Sequence, residues 1–164
     1  MATDNVIMII CSGLGATLLT DVWALLQKCV LKVSGLNYAL VGRWCLWMTV
    51  GRFSHQTIIS APPRKGETAA GWIIHYLSGV LLAFIPLTIV GERWLQQPAV
   101  GIALISGILS LVAPFLLMQP ALGFGIAASK TPNPGRARLL SLVIHLVFGC
   151  GLYLSLKLLN MLLL

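Results

Sequence analysis

Three titratable side chains, Asp21, His75 and His145, lie inside long apolar runs of this sequence. A carboxylate and two imidazoles can bind and release protons, and imidazole nitrogens can also ligate a metal. An aspartate near the middle of a membrane costs about 2.5–3.5 kcal/mol on insertion scales, so it needs a polar partner or a water-filled cavity. The three side chains therefore predict a polar site inside an otherwise apolar protein.

The spacing of these side chains predicts that they lie at one depth. Each is seven or eight residues away from a charged residue that flanks its apolar run. At a helical rise of about 1.5 Å per residue, that separation is about 10–12 Å in each case. Because consecutive spans run in opposite directions, the three groups fall at the same level. The flanking charged residues are Lys28, Glu67 and Arg138.

Three further polar residues complete the predicted site. Thr17 lies one helical turn from Asp21, Gln119 lies at the end of the third apolar run, and Arg43 lies between the first and second runs. Each of them could offset the cost of burying Asp21. The alternative is a purely structural role, because hydrogen bonds between membrane helices are worth only about 0.6 kcal/mol on average.

The composition excludes a water-soluble domain. The 164 residues are 58% hydrophobic and only 9% charged, whereas soluble domains carry about 25% charged residues. A helix needs about 20 apolar residues to cross a bilayer, and helix is the state that pairs backbone amides within one segment. Runs of that length predict spans at about 6–26, 69–90, 99–120 and 139–159. We therefore expect an all-α integral membrane protein, with residues 1–164 forming one bundle of four transmembrane helices.

Glycines recur on the predicted helix faces that carry the polar residues. Residues four apart share a helix face, and small residues allow helices in lipid to approach closely. Packing along these faces would turn the polar side chains toward the interior of the bundle. The glycines that we assign to helix packing are Gly13, Gly71, Gly79, Gly107 and Gly149.

The basic residues indicate an orientation in the membrane. Nine of the eleven Lys and Arg residues lie in two connections, 27–68 and 121–138. Basic loops are retained in the cytoplasm, so we expect a bacterial inner-membrane protein with both termini in the periplasm. The net charge of +7 lies mostly between apolar runs, which favours contact with anionic lipid headgroups over binding of nucleic acid.

The first connection contains an apolar segment, residues 36–51, that is short for a span. Its tryptophans are typical of an interfacial helix, and a re-entrant segment is the alternative. Helical spacing places Arg43 on the same side as Leu40 and Trp47. Arg43 therefore either points inward toward a buried anion or extends to lipid phosphate.

The second connection contains a glycine-rich stretch, MQPALGFGIAASKTPNPGRAR, at residues 118–138. Backbone amides near Gly123 and Gly125, together with Lys130, could hold a phosphate or a carboxylate. The stretch lacks the sequence of a Walker A loop. The alternative is a turn in which glycine supplies flexibility and proline supplies rigidity.

Three stretches of the sequence are distinctive: SGLGATLLTDVWALL at 12–26, NYALVGRW at 37–44 and QPALGFGIAASKTPNP at 119–134. They resemble a family of small bacterial inner-membrane proteins known only as a domain of unknown function. The resemblance covers most of the chain. It implies four spans and an inner-membrane location, and it supplies no catalytic residues.

The predicted site is compatible with three functional classes. The first is a carrier or proton-coupled transporter that acts as an oligomer, since four spans are few for a transport pathway. The second is a non-catalytic accessory or assembly subunit of a larger membrane complex. The third is a b-type haem protein with His75 and His145 as axial ligands; otherwise we expect no cofactor. The sequence shows neither a nucleophile–base arrangement nor a metal-ligand motif such as HExxH, so it does not favour an enzyme.

Overall fold

A computed structural model describes residues 3–30, 32–33 and 35–163. The regular secondary structure of these residues is entirely helical, which confirms the predicted all-α fold. The two chain ends, for which we predict a periplasmic location, lie outside the described residues. The α-helices in chain order are α1 (Thr3–Val30), α2 (Tyr38–Met48), α3 (Glu67–Leu82), α4 (Ile85–Val90), α5 (Arg93–Gln96), α6 (Val100–Ser110), α7 (Gln119–Ala121) and α8 (Pro134–Leu163).

Four helical segments are long and apolar enough to cross a membrane. Their mean hydropathy lies between 1.8 and 2.4. The first and last segments are longer than the apolar runs alone, because their helices continue through flanking polar residues such as Lys28 and Arg138. The segments are Asp4–Val30, Glu67–Val90, Val100–Ala121 and Pro134–Leu162.

Proline residues coincide with breaks in the second and third of these segments. The α4 helix begins at Ile85, directly before Pro86. After α6 ends, a π-helical turn at Ala113–Met118 contains Pro114 near its start. Proline lacks an amide hydrogen and its ring clashes with the preceding turn, so regular α-helical hydrogen bonding is interrupted at both places.

The chain forms two compact units, each with a core of its own. The first unit contains the residues up to Gly35, Tyr76–Ser110 and the residues from Leu142 onward, and the second contains Leu36–His75 and Leu111–Ser141. The buried core residues of the first unit are Ile9, Ala16, Ala83, Trp94, Leu95, Ala103, Phe148, Leu152 and Leu156. Those of the second unit are Val41, Trp44, Ile58, Ala61 and Leu122.

In the first unit, α6 and α8 touch through their backbones. A Cβ atom on Gly107 would overlap the carbonyl oxygen of His145, and one on Gly149 would overlap the carbonyl oxygen of Ala103. Only glycine permits so close an approach, because it has no side chain to separate the two backbones. The contact places Ser110 of α6 within hydrogen-bonding distance of His145 of α8.

The α1 and α3 helices make a similar contact in the same unit. A Cβ atom on Gly13 would lie 2.8 Å from the Cα atom of Val80, and one on Gly79 would overlap the hydroxyl oxygen of Thr17. Glycines on both helices therefore allow α1 and α3 to pack with little between them.

In the second unit, α2 crosses the first turns of α3 at two further glycines. Gly42 lies against the carbonyl oxygen of Glu67, and Gly71 lies against the carbonyl oxygen of Tyr38, too close for a Cβ atom at either place. The short α2 helix is thereby held against the beginning of α3.

We predict that Gly107→Ala destabilises the protein and that Gly101→Ala, in the same helix, does not. A methyl group at position 107 collides with the α8 backbone, and overpacking of this kind costs about 1–3 kcal/mol. A methyl group at position 101 meets no atom within 4 Å, and alanine favours helix over glycine by up to about 1 kcal/mol. Thermal unfolding in detergent, followed by circular dichroism, measures both effects. Equal melting temperatures for the two variants would contradict the α6–α8 contact.

Candidate functional site

Asp21 of α1 is hydrogen-bonded to Tyr76 of α3 within the first unit. The Tyr76 hydroxyl donates to Oδ2 of Asp21 at 2.9 Å. The sequence pattern did not predict this partner, although the only phenol group of the second apolar run lies one residue after His75. A hydrogen bond from a hydroxyl supplies part of the polar contact that a carboxylate among apolar helices requires.

Thr17 lies one turn before Asp21 and is buried. Its hydroxyl donates to the Gly13 carbonyl oxygen of its own helix at 2.8 Å. The side chain also fills the space next to Gly79 of α3. Thr17 is therefore part of the α1–α3 contact on the same helix as Asp21, with its hydroxyl hydrogen-bonded locally.

His145 of α8 is paired with Ser110 of α6, again within the first unit. The distance from the Ser110 hydroxyl oxygen to Nδ1 of His145 is 2.6 Å, and the same hydroxyl lies 2.6 Å from the Gly107 carbonyl oxygen. With one hydroxyl proton, Ser110 can donate to the carbonyl and accept from a protonated Nδ1, or donate to an unprotonated Nδ1. The direction of this hydrogen bond therefore depends on the protonation of the imidazole.

His75 belongs to the second unit, where aromatic rings surround it. Its imidazole stacks on Tyr38 of α2 with a centroid distance of 4.1 Å, and Trp72 approaches edge-on at 5.8 Å. The structure thus places Asp21 and His145 in one unit and His75 in the other. The single pocket that we predict for the three groups stays a prediction, as does haem ligation by the two histidines.

Gln119 begins α7 in the second unit and is buried. Its side-chain oxygen has no hydrogen-bond partner among the described residues. Buried polar atoms are nearly always paired in proteins, so this amide oxygen is an acceptor in need of a donor. Gln119 is in the same unit as Arg43 and His75.

Arg43 of α2 faces an anion, and that anion is Glu67 at the start of α3. Nε and one terminal nitrogen of Arg43 donate to the two oxygens of Glu67, both at 2.8 Å. The other terminal nitrogen donates to the carbonyl oxygens of Ala61 at 2.9 Å and Ile58 at 3.3 Å. The hydrogen bond to Glu67 raises the pKa of Arg43 above its usual value. This guanidinium therefore connects α2, the segment before α3 and α3 itself.

The glycine-rich stretch ends α7 with a Schellman motif. The amide of Gly123, a residue with φ of +88°, donates to the Pro120 carbonyl oxygen, and the Phe124 amide donates to the Gln119 carbonyl oxygen. Both amides are therefore engaged in capping the helix. A Cβ atom on Gly123 would overlap the Gln56 carbonyl oxygen, so a close backbone contact adds a second requirement for glycine.

Gly125 and Lys130 lie on the far side of this turn. Gly125 has φ of +75° and packs against Ser129 and Lys130. The Lys130 amide donates to the Phe124 carbonyl oxygen at 2.9 Å, and the Lys130 side chain is exposed. The geometry accounts for both glycines through the turn, and anion binding by this loop stays a prediction.

No group of three or more His, Cys, Asp or Glu residues that could hold a metal ion occurs within the described residues. Asp21 and His145 have hydroxyl partners, and His75 has aromatic partners.

Comparison with known protein families assigns the chain to one family. The family model described as "Protein of unknown function (DUF2938)" matches residues 9–159. The chain belongs to this family. The matched residues include Asp21 and Tyr76, and also Ser110 and His145. Both hydrogen-bonded pairs therefore lie within the DUF2938 region. Searches of curated proteins and of solved structures found no match.

We predict that Ser110→Ala lowers the melting temperature and that Ser106→Ala changes it little. Both serines are buried in α6 of this DUF2938 member, but the Ser106 hydroxyl is bonded only to the Ile102 carbonyl oxygen of its own helix. Removing the Ser110 hydroxyl leaves Nδ1 of His145 without that partner, at a cost of about 1–3 kcal/mol. Thermal unfolding in detergent compares the two variants. Equal shifts would show that the bond to His145 contributes nothing to stability.

We predict that Glu67→Gln destabilises the second unit more than the double variant Arg43→Gln/Glu67→Gln does. The single change leaves a half-buried guanidinium without its counter-charge, whereas the double change removes both charges together. A double-mutant cycle of melting temperatures gives the coupling between the two residues. Additive effects would show that the ion pair is energetically unimportant.

Proposed function

We propose that this protein is a small proton-coupled carrier of a bacterial inner membrane, with Asp21 and His145 as its proton-binding groups. The observation that carries the proposal is a pair of hydrogen bonds in the first unit, Tyr76 to Asp21 and Ser110 to His145. Each bond joins a titratable side chain to a hydroxyl group on another helix. Ionisable residues within transmembrane segments are rare and are commonly part of proton or ion pathways.

Protonation of either group alters the contact between two helices. The ionised carboxylate of Asp21 only accepts hydrogen bonds, whereas the protonated form also donates. A proton on Oδ2 requires the Tyr76 hydroxyl to reorient, whereas a proton on Oδ1 leaves the bond to Oδ2 in place but weaker, because the acceptor is no longer charged. The α1–α3 contact therefore responds to the proton occupancy of Asp21, which is the coupling that a proton-driven carrier needs.

His145 supports the same behaviour between α6 and α8. A doubly protonated imidazole donates from Nδ1, so the Ser110 hydroxyl must accept from it and direct its own proton to the Gly107 carbonyl oxygen. The distances of 2.6 Å to both neighbours fit this exchange. Imidazole can bind and release a proton, so this side chain is chemically able to make the exchange.

Buried hydroxyl groups extend the polar character of the first unit. Each donates to a carbonyl oxygen of its own helix, which leaves lone pairs free to accept further hydrogen bonds. These groups supply contacts for a proton or a small polar solute. They are Ser12, Thr17, Thr20, Ser106 and Ser110.

The remaining parts of the proposal concern location and assembly. The basic connections 27–68 and 121–138 favour the cytoplasmic side for these loops and the periplasm for both termini. Many large apolar side chains of the four segments are exposed in the single chain. These surfaces suit contact with lipid and with further copies of the chain, and an oligomer would supply the additional helices of a pathway.

A non-catalytic accessory subunit is the second candidate. The same two hydrogen bonds favour this candidate, because Asp21 and His145 each have a partner within the chain and need no transported solute to pair with. Such bonds stabilise helix packing without any transport. The two candidates differ in what happens when Asp21 loses its charge.

We predict that Asp21→Asn abolishes proton-coupled flux and that Asp4→Asn preserves it. The two aspartates are on the same helix, but Asp4 is exposed in the first turn of α1. Proteoliposomes loaded with a pH-sensitive dye and offered a panel of small sugars, amino acids, organic anions and cations report solute-dependent proton movement. Tyr76→Phe should reduce the rate about tenfold, because the lost hydrogen bond to a charged group is worth about 1.5–3 kcal/mol.

Flux that is the same in Asp21→Asn and wild type for every solute would overturn the carrier proposal. Co-purification of a larger complex that survives Asp21→Asn would then favour the accessory subunit. An absorption spectrum of the purified protein tests the haem hypothesis, since bis-histidine haem gives an intense Soret band.

A further inference from the structure

Basic side chains gather around one indole ring in the second unit, outside the site described above. The guanidinium carbon of Arg64 lies 3.8 Å from the centre of the Trp47 ring, and that of Arg52 lies 5.3 Å from it. The imidazole of His55 approaches the same ring edge-on, with a centroid distance of 6.2 Å. We call Trp47, Arg52, His55 and Arg64 the basic cluster.

The backbone fixes the members of the basic cluster in place. Trp47, near the end of α2, donates from its indole nitrogen to the Pro62 carbonyl oxygen at 3.3 Å. The Arg52 amide donates to the Trp47 carbonyl oxygen at 3.1 Å, and the His55 amide donates to the Ala121 carbonyl oxygen at 2.9 Å. These bonds hold the indole ring and the loop backbone from which the Arg52 and His55 side chains extend.

The second unit has a large excess of positive charge. Its residues include seven Lys and Arg but a single acid, Glu67. Both Glu67 oxygens are occupied, by the Arg43 side chain and the Arg64 amide. The first unit, by contrast, has four basic and three acidic residues. No acid of the second unit is thus left to neutralise Arg52 and Arg64.

Side-chain nitrogens of the basic cluster lack partners among the described residues. Nε of Arg64 and Nε2 of His55 are buried without a hydrogen bond. No ion pair or side-chain hydrogen bond is formed by the Arg52 or Arg64 guanidinium within the same residues. Arg52 is exposed and Arg64 half-exposed, so a ligand can reach both.

We infer that the basic cluster binds a phosphate group, held by the guanidinium groups of Arg52 and Arg64 beside the Trp47 indole. Guanidinium presents paired donors that match the oxygens of a phosphate. Two guanidinium groups near one ring repel each other, and a shared anion removes that repulsion. The inference is independent of proton coupling at Asp21.

The charge of the cluster is suited to a phosphate group. Burial, and after it the charge of Arg52, lower the pKa of His55, so the imidazole is neutral at neutral pH. The cluster then offers two full positive charges, which match the charge of a phosphomonoester or exceed that of a phosphodiester by one. The phosphate can belong to an anionic lipid headgroup or to a free phosphate compound.

The test compares two exposed arginines of the second unit. Arg52→Gln removes a member of the cluster, whereas Arg136→Gln makes the same charge change at an exposed arginine that is not one of its four members. In one arm, native mass spectrometry counts phosphatidylglycerol retained by protein from nanodiscs of phosphatidylcholine and phosphatidylglycerol. In the other arm, isothermal titration calorimetry in a neutral detergent measures binding of glycerol 3-phosphate.

We expect Arg52→Gln to weaken binding about tenfold or more in the arm that corresponds to the natural source, since charge-assisted hydrogen bonds are lost. Arg136→Gln should retain wild-type binding, and Arg64→Gln should repeat the effect of Arg52→Gln. Retention of phosphatidylglycerol alone identifies a lipid headgroup as the source, and binding of glycerol 3-phosphate identifies a free phosphate compound. Equal losses in Arg52→Gln and Arg136→Gln, or binding in neither arm, would overturn the inference.

Discussion

Helices of this protein pack against each other at glycine residues, where no side chain separates the two backbones. In the first unit, Gly107 and Gly149 bring α6 and α8 into direct contact, and in the second unit Gly42 and Gly71 do the same for α2 and α3. Apolar side chains provide little drive for association in lipid, so close van der Waals packing must supply it. The short reach of Ser110 and Arg43 to their partners is possible only because these backbones are so close.

Close packing in turn lets each polar group find an acceptor or donor inside the chain. Ser110 reaches His145 across the α6–α8 contact, and Arg43 reaches Glu67 and two carbonyl oxygens across the α2–α3 contact. A charged or polar group among apolar helices is costly without such partners. The same contacts that stabilise the fold therefore determine where protons and anions can be held.

Much of the fold follows from hydropathy alone. Runs of about 20 apolar residues with few charges must be helical in lipid, and the four long helical segments agree with that expectation. The distinctive stretches at 12–26, 37–44 and 119–134 pointed to a family of unknown function, and the match over residues 9–159 confirms that family. Helix ends are less predictable, because α1 and α8 continue through charged residues that hydropathy assigns to loops.

The partners of the polar residues could not be predicted from the sequence. Helical periodicity gives the face on which Asp21 lies, but it does not say that the Tyr76 hydroxyl reaches it. Glu67 lies at the edge of an apolar run and looked like a simple flanking charge, whereas it is the counter-ion of Arg43. Such pairings depend on how the helices are rotated relative to one another. The periodicity of a single sequence does not give that rotation.

The excess of positive charge in the second unit has a consequence for the stability of its placement in an energised membrane. With that unit on the cytoplasmic side, a potential of 100 mV, negative inside, contributes about 2.3 kcal/mol for each elementary charge that would have to cross. If all six net charges of the unit had to cross, the voltage alone would oppose inversion by about 14 kcal/mol. In the orientation that we propose, a membrane potential would therefore oppose inversion of the chain.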